Sequence, residues 1–310
     1  MPGVKRRAAV LGLLMSAVLA LSAEPSLAAE KAPPRPSLFA VGTTNVEFDN
    51  QGRSVATTVY YPATGRATTL SISNAPRATK WGPYPLIVFS HDLRTSPTPY
   101  ARLLHAWAAA GYVVAVPTYE VPSDDEADEN GQFVVDLGER VTDASFLIDR
   151  MLDRVQGGFG SLVDRRRIAA AGHGLGSTTT YVLSYLAGGA DPRVRAVVTI
   201  GGSLAGDTDG YFSGVNTPLL AIHGEADEVD PIDDALEVFA LAKPPKFFVT
   251  LLGADGTSPF ASGADPAGQV VEETTLDFFT AYLRGRSSGL DQLARDGKTA
   301  EVSRIRIVLP

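Results

Sequence analysis

Short apolar runs recur along most of the chain and are separated by longer stretches with helical periodicity. The apolar runs are mostly continuous rather than alternating, as expected of strands that are buried on both faces of a sheet. They comprise Pro85–Ser90, Tyr112–Val116, Arg167–Gly172, Val194–Ile200, Pro218–His223 and Phe247–Leu252. The helical stretches are Tyr100–Ala110, Val134–Arg154, Leu175–Ala187, Ile232–Ala242 and Val270–Leu283. This alternation predicts an α/β domain, with a mostly parallel sheet and helices on both faces.

The start of this region follows a different pattern. Val46–Phe48, a turn at 49–52 and Ser54–Tyr61 predict an antiparallel hairpin ahead of the parallel strands. In open α/β sheets the ligand site lies at the carboxyl ends of the strands, so candidate chemistry is sought there.

The first 28 residues have the pattern of a secretory signal peptide. Lys5, Arg6 and Arg7 precede an uncharged apolar stretch, and small residues at Ser26 and Ala28 offer a cleavage site before Ala29. Residues 29–38 are rich in proline and are expected to form an extended linker. The chain has no cysteine, so neither a disulfide nor a lipid anchor on cysteine is expected, which favours a bacterial exported protein.

Charge limits the partners of the mature protein. The chain carries −8; residues 1–28 hold three basic groups and one acidic group, a balance of +2, so the mature chain carries about −10. A chain this acidic, without a basic cluster, is not expected to bind nucleic acid or an anionic membrane surface.

One segment has the pattern of a nucleophile elbow. The run Arg167–Gly172 leads into Gly172-His173-Gly174-Leu175-Gly176, where a helix is predicted to begin. This strand–turn–helix context is that of G-x-S-x-G, in which small residues allow a tight turn. The central position, normally serine, is Gly174.

Further segments extend this similarity in the expected order. They are Ser90–Asp92, Ala110–Val114, His223–Asp227 and Gly253–Phe260. With them the chain resembles the α/β-hydrolase branch that contains dienelactone hydrolases, chlorophyllases and platelet-activating-factor-acetylhydrolase-like esterases. The resemblance implies an α/β-hydrolase domain over residues 39–285 with about eight strands and no cofactor. Residues 286–310 form a C-terminal extension, in which Val302–Leu309 alternates and is expected to add an edge strand.

The departures from the family pattern fall on the catalytic positions. By resemblance, Gly174 occupies the nucleophile position and Gly256 the position of the histidine base, whereas Asp227 retains the triad acid. Asp92 replaces a glycine of the oxyanion loop. Glycine at 174 relieves the strain of a positive φ, and both glycine substitutions are expected to enlarge the pocket floor.

The order of residues supports the loss of the base independently of any alignment. In this fold the triad runs serine, acid, histidine. The histidines are His91, His105, His173 and His223, and none of them follows Asp227. Ser177 and Ser258 are the nearest substitutes for the nucleophile, but neither has a general base to activate it.

The resemblance also implies the remaining parts of the site. The backbone amides of Leu93 and Leu175 are expected to form the oxyanion hole, beside which an ionised Asp92 would oppose a developing negative charge. The aromatic residues Tyr119, Tyr211, Phe212 and Phe260 are candidates to line the pocket, or are plain core.

The other histidines and the acidic residues have simpler interpretations. His91, His173 and His223 are expected to serve packing and hydrogen bonding, and His105 to be an ordinary helix residue. The acidic run 120–129 resembles a calcium loop only faintly, because the bidentate glutamate is missing, and a solvated loop is favoured. No Cys/His cluster indicates zinc, so no metal is expected.

Two functional interpretations remain open. One is a catalytically inactive, secreted esterase homologue that keeps a pocket for a small or ester-like ligand. The other is an active carboxylic-ester hydrolase that uses unconventional residues, or an inactivated variant of one. The fold alone favours the second, and the missing serine and histidine favour the first.

Overall fold

A computed structural model describes residues 37–119, 137–155, 158–204, 208–260 and 265–310. Within these ranges ten strands form one sheet in the order β10-β9-β8-β7-β6-β4-β5-β2-β1-β3. The strands are β1 Ala40–Asn50, β2 Arg53–Ala63, β3 Ser71–Ser73, β4 Tyr84–Ser90, β5 Val113–Pro117, β6 Val163–His173, β7 Val194–Ile200, β8 Leu219–Gly224, β9 Lys246–Leu251 and β10 Ser303–Val308. The α-helices are α1 Ala101–Ala109, α2 Leu137–Leu152, α3 Leu175–Tyr185, α4 Ile232–Leu241, α5 Pro266–Tyr282 and α6 Ser288–Asp296.

The predicted fold class is confirmed. β4 to β9 pair in parallel, and β1 and β2 form the predicted antiparallel hairpin, which joins the sheet through β2 and β5. The sheet has more strands than the eight expected. β3 is three residues long and lacks an apolar run, whereas β10 comes from the C-terminal extension and pairs antiparallel with β9. The calcium-like run 120–129 and the signal and linker residues up to 36 lie outside the described residues.

Helices cover both faces of the sheet and divide the core in two. Alternate side chains of β4 show this division, because Leu86 and Val88 belong to one core and Ile87 and Phe89 to the other. Helices α2, α3 and α4 pack on the first core, and α1, α5 and α6 on the second. Within the described ranges, no helix is long and apolar enough to span a membrane.

The carboxyl ends of the parallel strands bring distant parts of the chain together. Asp92 follows β4, Gly174 follows β6, and Asp227 follows β8. Gly256 lies in the loop that follows β9. These four positions meet at one edge of the sheet, because Gly174 adjoins Asp92, Gly256 adjoins Asp227, and His173 contacts Gly256.

Candidate functional site, an elbow occupied by Asp92

The turn at Gly174 has the strained geometry that the motif predicts. β6 ends at His173, α3 begins at Leu175, and Gly174 between them has φ 54° and ψ −122°. Residues other than glycine adopt this backbone conformation only at a cost in free energy. The flanking glycines are required for packing. A Cβ atom at Gly172 would overlap the carbonyl oxygen of Gly176, and a Cβ atom at Gly176 would overlap that of Ser90.

The carboxylate of Asp92 lies in the position expected for an oxyanion. Its Oδ1 accepts hydrogen bonds from the backbone N–H of Leu93 at 2.7 Å and from that of Leu175 at 2.8 Å. These are the two amides expected to form the oxyanion hole, and the distances are those of such holes. The amide of Leu175 is also at the N-terminus of α3, where the helix dipole favours an anion. The chain therefore supplies its own anion to these donors.

Asp92 also fills the space that a serine at position 174 would need. A Cβ atom on Gly174 would overlap Asp92 Oδ1 and lie 2.7 Å from Oδ2. The expectation that glycine enlarges the pocket floor is therefore wrong at this position, because the space that the missing serine leaves holds a carboxylate.

Asp227, at the acid position, faces the glycine at the base position. Its Oδ1 accepts hydrogen bonds from the amides of Val229 at 3.1 Å and Asp230 at 3.0 Å. A Cβ atom on Gly256 would lie 2.5 Å from Oδ2 of Asp227. The two positions therefore adjoin, and a side chain at 256 would require the Asp227 carboxylate to move.

His173 contacts the base loop, but both of its ring nitrogens are engaged. Nε2 lies 2.8 Å from the carbonyl oxygen of Gly256, which can only accept, so Nε2 carries the proton. The hydroxyl of Tyr100 then donates to Nδ1 over 2.8 Å. Burial lowers the pKa of His173. Its ring packs edge-on against that of Phe260, with 4.5 Å between the ring centroids. No lone pair of this imidazole is left for a nucleophile.

His91 is held in the opposite tautomer. The backbone N–H of Tyr119 donates to Nε2 at 3.1 Å, so Nδ1 carries the proton and donates to the carbonyl oxygen of Asp92 at 2.8 Å. Burial lowers the pKa of His91 to about 4. The neutral ring therefore fixes the backbone that carries Asp92.

Two residues that sequence reasoning missed support this arrangement. Arg140 of α2 is buried, donates to the carbonyl oxygen of His91 and lies 4.0 Å above the ring of Tyr119. Burial lowers its pKa, and the charge of Asp92 acts in the opposite direction. Tyr100 joins His173 to the Asp92 loop, because its hydroxyl oxygen also accepts from the amide of Asp92 at 3.3 Å. In the sequence, Arg140 has the ordinary appearance of a surface helix residue.

The structure does not bring all of the candidate pocket residues together. Tyr119 and Phe260 lie beside His91 and His173. Phe212 packs on Tyr185 with a ring-centroid distance of 4.6 Å, and Tyr211 is its neighbour in the chain. Tyr185 ends α3, roughly 15 Å along the helix from Leu175 at 1.5 Å per residue.

The remaining histidines and the substitute serines are engaged elsewhere. His223 Nε2 donates to the carbonyl oxygen of Asp230 at 2.7 Å. Ser177 is fully buried and donates to the carbonyl oxygen of Gly172 at 2.9 Å. The hydroxyl of Ser258 donates to Asp255 Oδ1 at 2.9 Å within its own loop. His105 is on the outer side of α1, where it contacts Ser71 rather than any residue of the elbow.

Comparisons with known proteins agree with this architecture. Residues 47–124 match the family described as platelet-activating factor acetylhydrolase, isoform II. This match includes the Asp92 loop and ends before the elbow. No curated protein matches the chain by sequence.

A solved structure extends the similarity over most of the domain. It is the ferulic acid esterase from Streptomyces cinnamoneus, with a TM-score of 0.66 and 19% identity. The alignment covers 84% of this chain and 94% of the esterase. The chain thus has the α/β-hydrolase fold of this esterase, and residues 47–124 are in addition similar in sequence to the platelet-activating factor acetylhydrolase family.

Proposed function

We propose that this chain is a catalytically inactive, exported homologue of the esterase-like α/β-hydrolases that serves to bind a small molecule. The observation that carries the proposal is the carboxylate of Asp92 on the amides of Leu93 and Leu175, beside a glycine at the nucleophile position. An ester carbonyl needs those two donors for its developing oxyanion, and here they are already engaged by a negative group.

Each step of ester hydrolysis lacks a group that this fold ordinarily supplies. Attack needs an activated hydroxyl, and position 174 has no side chain. Proton transfer needs a base beside Asp227, and position 256 has none. Loss of even one oxyanion donor costs about 10²–10³ in turnover, so occupation of both opposes the alternative of an active hydrolase with unconventional residues.

The sequence and the esterase-like fold support a proposal for the location of the protein and for the class of its ligand. A charged N-terminus, an apolar stretch and small residues before Ala29 support export, and the absence of cysteine supports a bacterial source. The esterase-like fold suggests a small, ester-like or neutral ligand. A carboxylate in the family's usual site directs the search for that ligand elsewhere on the domain.

The proposal is tested by p-nitrophenyl butyrate turnover and by labelling with a serine-directed fluorophosphonate. We expect the protein to release p-nitrophenol no faster than an equal concentration of a non-enzyme protein, and to take up no label. A serine esterase of the same fold is the positive control. Labelling at one defined residue, together with turnover, would overturn the proposal and identify the nucleophile.

A further inference from the structure

A surface cavity of about 860 Å³ lies away from the elbow, on the side of the sheet that carries α1 and α5. Its walls come from residues 67–71, from α1 and α5, and from the hairpin strands at Thr43 and Tyr60. This volume is that of a site for a small molecule.

Much of the cavity wall is apolar. Its apolar lining residues include Ala101 and Ala106 of α1, Leu276 of α5, and Leu38 and Leu70. Leu38 is 56% exposed and Leu70 is 74% exposed. Large apolar side chains left in water around a concave surface favour an apolar ligand.

A fixed hydrogen-bond chain supplies the polar part of the wall. His105 Nε2 lies 3.0 Å from the carbonyl oxygen of Thr68, which can only accept, so Nε2 carries the proton. Nδ1 is then an acceptor, and the hydroxyl of Ser71 donates its proton to it over 2.9 Å. Burial lowers the pKa of His105, which keeps the ring neutral in this arrangement.

The direction of this chain determines what Ser71 offers a ligand. Its only proton points to His105, so its oxygen presents lone pairs and acts as an acceptor. A ligand group that donates a hydrogen bond fits this oxygen, whereas an ether or ester oxygen does not.

The charged groups of the wall favour a neutral ligand. Arg102 and Glu272 both line the cavity and form an ion pair at 3.5 Å. Their charges balance, so the wall offers no net attraction to an anion or a cation.

We propose that this cavity binds a neutral alcohol or phenol with an apolar alkyl or aryl body, and that its hydroxyl donates to Ser71 Oγ. The inference rests on the binding role in the proposed function. Its failure would leave the absence of hydrolysis at Gly174 standing, because that is measured with different reagents at a different place.

The test is calorimetric titration of the protein with 4-butylphenol, 4-butylanisole and 4-butylbenzoate. The three probes share the apolar body and differ in donor and charge. We expect the phenol to bind about tenfold more tightly than the anisole, as one hydrogen bond allows, and more tightly than the benzoate.

Three variants assign the binding to this cavity. Ser71→Val/His105→Phe removes the Ser71 acceptor together with the Nδ1 lone pair that its loss would free, so the phenol should lose its advantage over the anisole. Ser73→Val is the matched control on the same strand outside the cavity wall, and it should keep that advantage. Ala106→Trp fills the cavity and should weaken both probes.

Each other outcome overturns the proposal. Equal affinities for phenol and anisole would remove the role of Ser71, and preference for the benzoate would indicate an anion site. Unchanged binding in Ala106→Trp, with the folded state checked by circular dichroism, would place the ligand elsewhere. If none of the three probes binds, the proposal that this cavity binds an alcohol or phenol is wrong.

Discussion

Asp92 Oδ1 lies 2.8 Å from the amide nitrogen of Leu175, the first residue of the helix that follows the elbow. A strand end and a helix start, 83 residues apart in the chain, are thus joined by one carboxylate oxygen. The same oxygen accepts from Leu93, so both donors of the expected oxyanion hole converge on it. An esterase of this fold would reserve that point for the substrate.

Restoring the triad residues alone is expected to fail. In Gly174→Ser/Gly256→His the new serine meets the Asp92 carboxylate, and the oxyanion donors stay engaged. Adding Asp92→Gly removes that carboxylate and returns the glycine that the family has at this position. We expect p-nitrophenyl butyrate turnover by the triple variant to exceed that of the double variant by at least about 10², the effect of an oxyanion-hole donor.

The comparison separates two causes of inactivity. Asp92→Gly alone is the control and should remain inactive, because it has neither nucleophile nor base. Equal turnover by the double and the triple variant would show that Asp92 does not block the site.

Removal of Asp92 should also create a site for an external carboxylate. Asp92→Ala leaves the amides of Leu93 and Leu175 without their acceptor, and we expect a loss of about 1–3 kcal/mol in the free energy of unfolding. Butyrate can then bind the vacant donors, which raises the melting temperature of this variant as its concentration rises.

The rescue must be specific to the elbow. The wild-type protein should show no such rise, nor should Asp49→Ala, which removes an exposed carboxylate that accepts from the amide of Gly52. A butyrate effect of equal size in all three proteins would mean that the anion acts nonspecifically.

Sequence reasoning predicted the fold well because its signal is local. The continuous apolar runs coincide with β4 to β9 within a few residues, and the helical stretches with α1 to α5. It missed β3 and α6, since a three-residue strand and a short polar helix are defined by tertiary contacts rather than by an apolar pattern. Two further glycines, Gly172 and Gly176, were recognisable from the motif because a tight turn needs them.

The candidate site was predictable in its parts but not in its arrangement. The exchange to glycine at 174 and 256, and Asp92 beside the hole, are visible in the sequence. That the Asp92 carboxylate itself occupies the oxyanion hole depends on the rotamer of its side chain, which no sequence pattern encodes. Likewise, the Ser71–His105 contact joins residues from a three-residue strand and a helix face, and only the folded chain brings them together.

Acid should destabilise the protein through His91. Its pKa falls from the ordinary 6.5 to about 4 in the folded state because of burial. Between these values the unfolded chain binds a proton that the folded chain does not, so the free energy of unfolding falls as the pH drops from 6.5 towards 4. The expected slope is up to about 1.4 kcal/mol per pH unit for this one group.

Urea titrations across that pH range measure the slope. His91→Gln retains one donor and one acceptor for the Asp92 carbonyl and the Tyr119 amide but does not titrate, so its slope should be smaller. An unchanged slope in the variant would assign the acid sensitivity to other groups, of which His173 is the first to examine because burial lowers its pKa as well.

Asp277 on α5 should act in the opposite direction. Burial, a hydrogen bond with Asp296 and the charge of Asp296 raise its pKa from 3.8 to about 8. Between these values the folded chain holds a proton that the unfolded chain has lost, so this group's contribution to stability is full below pH 3.8 and disappears as the pH rises towards 8.

Asp277→Asn keeps the buried donor towards Asp296 and removes the titration. We therefore expect the variant to exceed the wild type in melting temperature by a small amount near pH 5 and by a larger amount near pH 8, because the wild type loses the contribution of the Asp277 proton progressively above pH 3.8. Asp291→Asn, which replaces an exposed carboxylate on α6, is the matched control and should follow the wild type at both pH values. A variant that gains equally at pH 5 and pH 8 would show that Asp277 is already ionised at pH 5, and that the α5–α6 contact does not depend on its proton.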